Sequence, residues 1–120
     1  MRTRYQELNS YTTKDGSTIR ELMHPDSQGN RQQSLAEATV PPGVKTVLHL
    51  HKQSEEIYYI VAGSGEMTLG ENTFNVAVGD AVCIAPNTPH RIFNNNATDL
   101  KFLCACSPAY SHADTVLLEK

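Results

Sequence analysis

His49 and His51 stand two residues apart in the run Lys45-Thr-Val-Leu-His-Leu-His51. Alternate side chains of a β-strand point to the same face, so as a strand this run aims both imidazoles the same way. Lys45 and Val47 share that face on the same alternation. The polar break Lys52-Gln-Ser-Glu55 lets the chain reverse, and a carboxylate early in the next apolar run can then face the two histidines. Glu55 and Glu56 both qualify, because Ile57 to Val61 is apolar on both faces and alternation does not choose between them. His90 follows the turn Pro86-Asn-Thr-Pro89, whose prolines fix the backbone and can aim one side chain. Three imidazoles and one carboxylate form a ligand set of intermediate softness. It suits one divalent transition metal such as Mn, Fe, Co, Ni, Cu or Zn, and suits Ca or Mg poorly. Four protein ligands on an ion that prefers six leave positions open for water or substrate, as in a reactive rather than a structural site.

A reactive metal site also needs groups that move protons and hold substrate. Tyr58 shares the face of whichever ligand sits at Glu56 and is a candidate wall residue with a hydroxyl. Tyr58 and His112 are the candidate proton-transfer groups. Lys45 and Tyr58 are the candidate substrate contacts, Lys45 as an anchor for an anionic group at the barrel mouth. Val47, Ile60 and Ile92 are the expected apolar walls. His24 and His112 lie by turns or in the tail, where solvation or a supporting role is expected. Cys104 and Cys106 are two apart on one strand, too distant for an unstrained disulfide. With Cys83 they are expected as small buried hydrophobes, and Cys104 and Cys106 could join Phe102 in facing the interior.

The elements that position these residues are short. Gly, Pro and Asn clusters cut the chain at Lys14-Asp-Gly16, Pro25 to Asn30, Pro41-Pro-Gly43, Gly63-Ser-Gly65, Gly70-Glu-Asn72, Gly79-Asp80, Pro86 to Pro89 and Asn94-Asn-Asn96. Between them lie runs of about five to eight residues rich in Val, Ile, Thr, Tyr and Phe, the pattern of an all-β sandwich or barrel. Gly63-Ser-Gly65 and Gly70-Glu-Asn72 are tight enough for hairpins. Ser34 to Thr39 is expected as a strand, because Pro41-Pro42 follows at once. The tail from Ala109 is expected as an extended arm with a short strand at Thr115 to Leu118. No stretch after residue 40 has helical periodicity.

With 120 residues the chain has room for one domain, 1–120, and can fold without disulfides or a structural metal. Net charge is −3 and the ten basic residues are scattered, which excludes the clustered basic face of a nucleic-acid binder. The longest uninterrupted apolar run, Ile57 to Ala62, is far short of the roughly 20 residues of a membrane helix. The N-terminus has no apolar stretch suited to a signal peptide. Three cysteines are sparse for a secreted scaffold, and a cytoplasmic location is expected.

The spacing of these residues resembles that of the cupins. Their first motif reads Gly-x5-His-x-His-x3,4-Glu-x6-Gly, and this chain has Gly43, His49, His51, Glu56 and Gly63 at those positions. Their second reads Gly-x5-Pro-x-Gly-x2-His-x3-Asn, matched by Gly79, His90 and Asn94. Ala85 stands where proline is expected and Asn87 where glycine is expected; asparagine tolerates a positive φ better than most residues. The motifs span 43–94. The resemblance implies a cupin double-stranded β-helix, or jelly-roll barrel, with the metal inside, and selects Glu56 over Glu55. It implies a small metal-dependent enzyme of oxygenase or isomerase/cyclase type acting on a soluble metabolite. The alternative is a non-catalytic, metal-assisted binding module for a sugar or small organic acid. A homodimer is expected, through strand edges offered by Ile19 to His24 and Thr115 to Leu118.

Overall fold

A computed structural model describes residues 1–119. Among them the chain forms β1 (Ser10–Thr12), β2 (Thr18–Met23), β3 (Ser34–Val40), β4 (His49–His51), β5 (Glu55–Ala62), β6 (Ser64–Leu69), β7 (Asn72–Ala77), β8 (Ala81–Ile84), β9 (His90–Phe93), β10 (Leu100–Ser107) and β11 (Thr115–Leu117). One helical turn, α1 (Pro25–Gln28), and 3₁₀ turns at Tyr5–Glu7 and His112–Asp114 are the only helical pieces among the described residues. The strands form two antiparallel sheets. The six-stranded sheet runs β1-β2-β3-β10-β5-β8 and the five-stranded sheet β11-β4-β9-β6-β7. This is the double-stranded β-helix.

Alternation explains which faces meet. On β5, Glu56, Tyr58 and Ile60 are buried, while Ile57, Tyr59 and Val61 are 43 %, 46 % and 37 % exposed. On β10, Leu100, Phe102, Cys104 and Cys106 point inward. Val40, Ile60, Ile84, Leu100 and Phe102 from the larger sheet pack on Met67, Val76 and Ile92 from the smaller one. Each such side chain contributes about 1.5–3 kcal/mol by leaving water. The apolar core fills one end of the barrel, and the polar cluster described below occupies the other.

Several sequence expectations hold. Ser34 to Thr39 is strand, and the tail strand pairs with β4. Gly70-Glu71 closes the β6–β7 hairpin with Gly70 at φ 60, as the first position of a II′ loop requires. Asn87, where a glycine is expected, does adopt a positive φ of 64. Its N–H donates to the His51 carbonyl at 2.7 Å, which ties the turn before His90 to β4.

Others are corrected. Gly63-Ser-Gly65 is not a hairpin: β5 and β6 lie in different sheets, and the chain crosses between them at Gly63. Gly63 has φ 76, and a Cβ there would overlap the Asp99 carbonyl oxygen. Lys45 to His51 is not one continuous strand. Thr46, not Lys45 or Val47, is the buried residue, held by Ile92, and the Val47 N–H turns away to the Asp15 carbonyl at 2.8 Å. That detour breaks the alternation before His49. Finally, the Ile19 to His24 segment is only partly an edge: β3 pairs one side of β2, and β1 covers the other side at Ile19 and Arg20.

Candidate metal centre

Strand register brings the four expected ligands together. His49 is directly opposite His90 across β4 and β9. His51 lies one alternation further along β4, on the same face. Glu56 enters from β5 of the other sheet and is 4 % exposed, whereas Glu55 is exposed to solvent. The three imidazoles are buried and their candidate ligand nitrogens lie within 4.8 Å of one another. Ring centroids are 4.2 Å apart for His49 and His90, 5.2 Å for His49 and His51, and 5.4 Å for His51 and His90.

The hydrogen bonds fix which nitrogen of each ring faces the centre. His49 Nδ1 is 2.7 Å from the Val47 carbonyl oxygen, and His90 Nδ1 is 2.9 Å from that of Thr88. A carbonyl only accepts, so both Nδ1 atoms carry the proton. His51 Nδ1 is 3.0 Å from Thr115 Oγ1, whose own proton goes to the Ser111 carbonyl at 2.9 Å. Thr115 therefore accepts, and His51 Nδ1 also donates. Three unprotonated Nε2 atoms are left to face one another. This second ring of partners is what a metal-binding histidine requires to hold its tautomer.

Glu56 completes the cluster. Its Oε1 is 3.2 Å from His51 Nε2 and 3.5 Å from His90 Nε2, and its Oε2 accepts from the Cys106 thiol at 3.2 Å. Burial pushes the Glu56 carboxyl up; in the metal-free site His51 and His90, when they take a second proton on Nε2, donate to it and outweigh burial, holding it at about 2. Burial, then the neighbouring His90, holds His49 below the usual histidine range. Glu56 Oε1 and His90 Nε2 are buried without a hydrogen-bond partner. Lone pairs and a carboxylate that converge without a donor call for a cation, and the donor set fits a divalent transition metal.

The cluster opens into a cavity walled by both apolar and polar groups, among them Ile19, Ala38, Tyr58, Phe102, Asp15 and Tyr110. The cavity volume is about 50 Å³, which suits a small ligand. No lysine or arginine lines it, and Asp15 and Glu21 do.

Tyr58 is in the wall, 4 % exposed, with its ring 4.4 Å from that of Phe102 and burial pushing its hydroxyl well above the usual tyrosine range. Lys45 is not in the wall: it is exposed, with Nζ 5.0 Å over the Phe93 ring. The broken alternation before His49 is the reason, and it removes Val47 from the wall as well. Ile60 and Ile92 are in the core, beyond the cavity. His112 is exposed and lies outside the lining, with Nδ1 3.0 Å from the Tyr110 hydroxyl. His24 caps α1, accepting from the Asp26 N–H at 3.1 Å, and its Nε2 meets the Tyr110 carbonyl at 2.8 Å. Cys104 and Cys106 face inward, but Cys83 is exposed, on the outer side of the edge strand β8.

Sequence reasoning missed Asp15, Ser17, Tyr110 and Thr115 as site residues. Asp15 reads only as part of a turn, Tyr110 as part of an extended arm, and Thr115 as the start of a tail strand with no tie to the site. Cys106 had one signal, its period-two spacing from Phe102 and Cys104.

Comparison with known proteins agrees with this geometry. The cupin domain family matches residues 36–106, and the chain belongs to that family. An uncharacterized protein of Methanocaldococcus jannaschii is 53 % identical over 119 residues, 99 % of this chain and 95 % of that one. The oxalate-binding protein of Thermotoga maritima is 32 % identical over 82 residues, 68 % of each chain. The polyketide cyclase RemF of Streptomyces resistomycificus superposes with a TM-score of 0.84 at 21 % identity, covering all of this chain and 86 % of that one; the likeness is one of fold.

Proposed function

We propose that this cupin is a small metal-dependent enzyme acting on a soluble metabolite of a few heavy atoms. The observation that carries the reading is the mutual approach of three imidazoles with fixed tautomers, bordered on the His51 and His90 side by the unpartnered Glu56 Oε1, beside a cavity. His49, His51, His90 and Glu56 would hold one divalent metal. When bound, it supplies Lewis acidity, and with Fe, Mn or Cu also redox chemistry that Zn lacks. The chain's own residues do the rest. Ile19, Ala38 and Phe102 exclude bulk water. Tyr58, kept neutral by burial, donates a hydrogen bond or holds a proton and does not serve as a base. The ligand is small because the cavity is. It carries little negative charge, because no lysine or arginine lines the wall. Fe, Mn or Cu favours oxygen-dependent oxidation, and Zn or Ni favours isomerisation or cyclisation.

One finding favours a second reading. A relative is an oxalate-binding protein, so this chain could instead be a non-catalytic module that grips a small organic acid through the metal. Turnover separates the two. The protein is stripped, reloaded with Mn, Fe, Ni, Zn or Cu in turn, and followed for dioxygen uptake and substrate loss against phenols, diketones, thiols and sugar acids. Turnover with at least one metal is expected. Tight binding of an acid with no turnover by any form would put the binding module first.

Its setting in this reading is the cytoplasm, in keeping with three free cysteines. No helix among the described residues is long and apolar enough to cross a membrane. The homodimer is also carried in this reading, with β1 and β11 as the sheet edges that lie outside the motif core. Light scattering at micromolar concentration should give twice the chain mass, and a monomer mass would remove it.

A further inference from the structure

Asp15 has no place in the two-motif ligand set, yet it is held at the same centre. It lies in the turn between β1 and β2, with its side chain 13 % exposed on the cavity wall. Its Oδ1 accepts from the Ser17 N–H at 3.0 Å and from Ser17 Oγ at 2.7 Å. Its carbonyl accepts from the Val47 N–H at 2.8 Å, and the Val47 carbonyl takes the His49 Nδ1 proton. Val47 thus clamps Asp15 and His49 together through the N–H and the carbonyl of one residue. With Oδ1 occupied, Oδ2 is free, and it lies 3.8 Å from His49 Nε2.

That contact has no donor in it. His49 Nδ1 keeps its proton on Val47, so Nε2 presents a lone pair to a carboxylate oxygen. The two repel unless a cation sits between them. Donors bonded to one ion at about 2.1 Å lie roughly 3.0 Å apart when adjacent and about 4.2 Å when opposite. The Asp15–His49 separation falls in that range. So do the 3.2 Å and 3.5 Å separations of Glu56 from His51 and His90. Glu56 borders His51 and His90, and Asp15 borders His49.

We propose that Asp15 supplies a second carboxylate to the metal centre through Oδ2, giving three imidazoles and two carboxylates with one position left for a ligand. This rests on the reading that the histidine cluster holds a metal. Two carboxylates neutralise a divalent ion. The remaining position then favours a neutral molecule or a monoanion over a dianion, in keeping with a wall that carries Asp15 and Glu21 and no lysine or arginine.

The test uses the whole chain, stripped and titrated with Co(II) and Mn(II), in wild type and Asp15→Asn. The amide oxygen of Asn can still accept from Ser17, so the turn is preserved. The expected result is at least a tenfold loss of Mn(II) affinity and a changed visible Co(II) spectrum in Asp15→Asn. Equal affinity, or weaker affinity with an unchanged Co(II) spectrum, overturns the proposal, because Asp15 then acts only as a charge at a distance. In that case wild type still binds the ion, and the histidine site stands. A wild type that binds neither ion overturns both. Should Asp15→Asn fail to fold, the wild type decides alone. With aspartate ¹³C-labelled at its carboxylate, the Mn(II) form should show ¹³C hyperfine coupling of a directly bound carboxylate, and its absence overturns the proposal.

Discussion

Glu56→Gln removes the carboxylate while keeping its shape, and its effect on metal-free protein follows from the site. Glu56 is 4 % exposed and its carboxyl is held at about 2, against 4.5 for the free group. A group whose folded pKa is depressed stabilises the fold above its unfolded value and loses that contribution as pH falls through the folded one. A depression of this size is worth about 3 kcal/mol in total, of which about 2 kcal/mol is gone by pH 3. His49, also depressed, favours the fold above the ordinary histidine value and loses its share as pH drops below it. Both proteins keep His49, so that loss cancels in the comparison. Urea unfolding of chelator-treated wild type and Glu56→Gln between pH 7 and pH 3 should therefore give curves that converge by about 2 kcal/mol, nearly all of it below pH 5. Parallel curves would refute the claim that an ionised Glu56, stabilised in the metal-free site by protonated His51 and His90, sits in the barrel.

Gly63→Ala should lose about 2–5 kcal/mol in urea unfolding, from the left-handed backbone and the overlap with Asp99, and a loss under about 1 kcal/mol would contradict the sheet crossing at this residue. Thr115→Val removes the acceptor for His51 Nδ1 and should weaken Zn(II) binding about 10–100-fold in a competition titration with a chelator, with the melting curve still cooperative; unchanged affinity would dismiss Thr115 as a support. Metal affinity should fall as pH drops below the histidine reference of about 6.5, and a flat affinity from pH 7 to about 5 by calorimetry would be inconsistent with imidazole ligation.

Much of this architecture is legible locally. The His-x-His pair, the rigid turn before His90 and the period-two burial of β10 are properties of neighbouring residues, and they appear as expected. The choice of Glu56 is different: apolar residues on both faces of β5 hide the alternation, and motif spacing alone distinguished the two glutamates. What stayed hidden depends on contacts distant in sequence. The Thr115 support for His51 spans 64 residues and no local pattern announces it. Lys45 and Val47 were misplaced because a hydrogen bond from Val47 to Asp15 interrupts a run that reads as one strand. Gly63-Ser-Gly65 has the composition of a hairpin, and only the approach of Asp99 from another part of the chain makes it a crossing between sheets. Ile57, Tyr59 and Val61 are apolar yet face outward, and no local pattern marks them off from Tyr58 and Ile60.

Metal content by elemental analysis tests the central claim most directly, on purified wild type and on His49→Ala, His51→Ala and His90→Ala. The core of Ile60, Met67, Ile84 and Leu100 lies outside the cavity that the histidines border, so each variant should still melt cooperatively. Wild type should carry close to one transition metal per chain and each variant should lose most of it. Equal metal in wild type and all three variants would contradict the account.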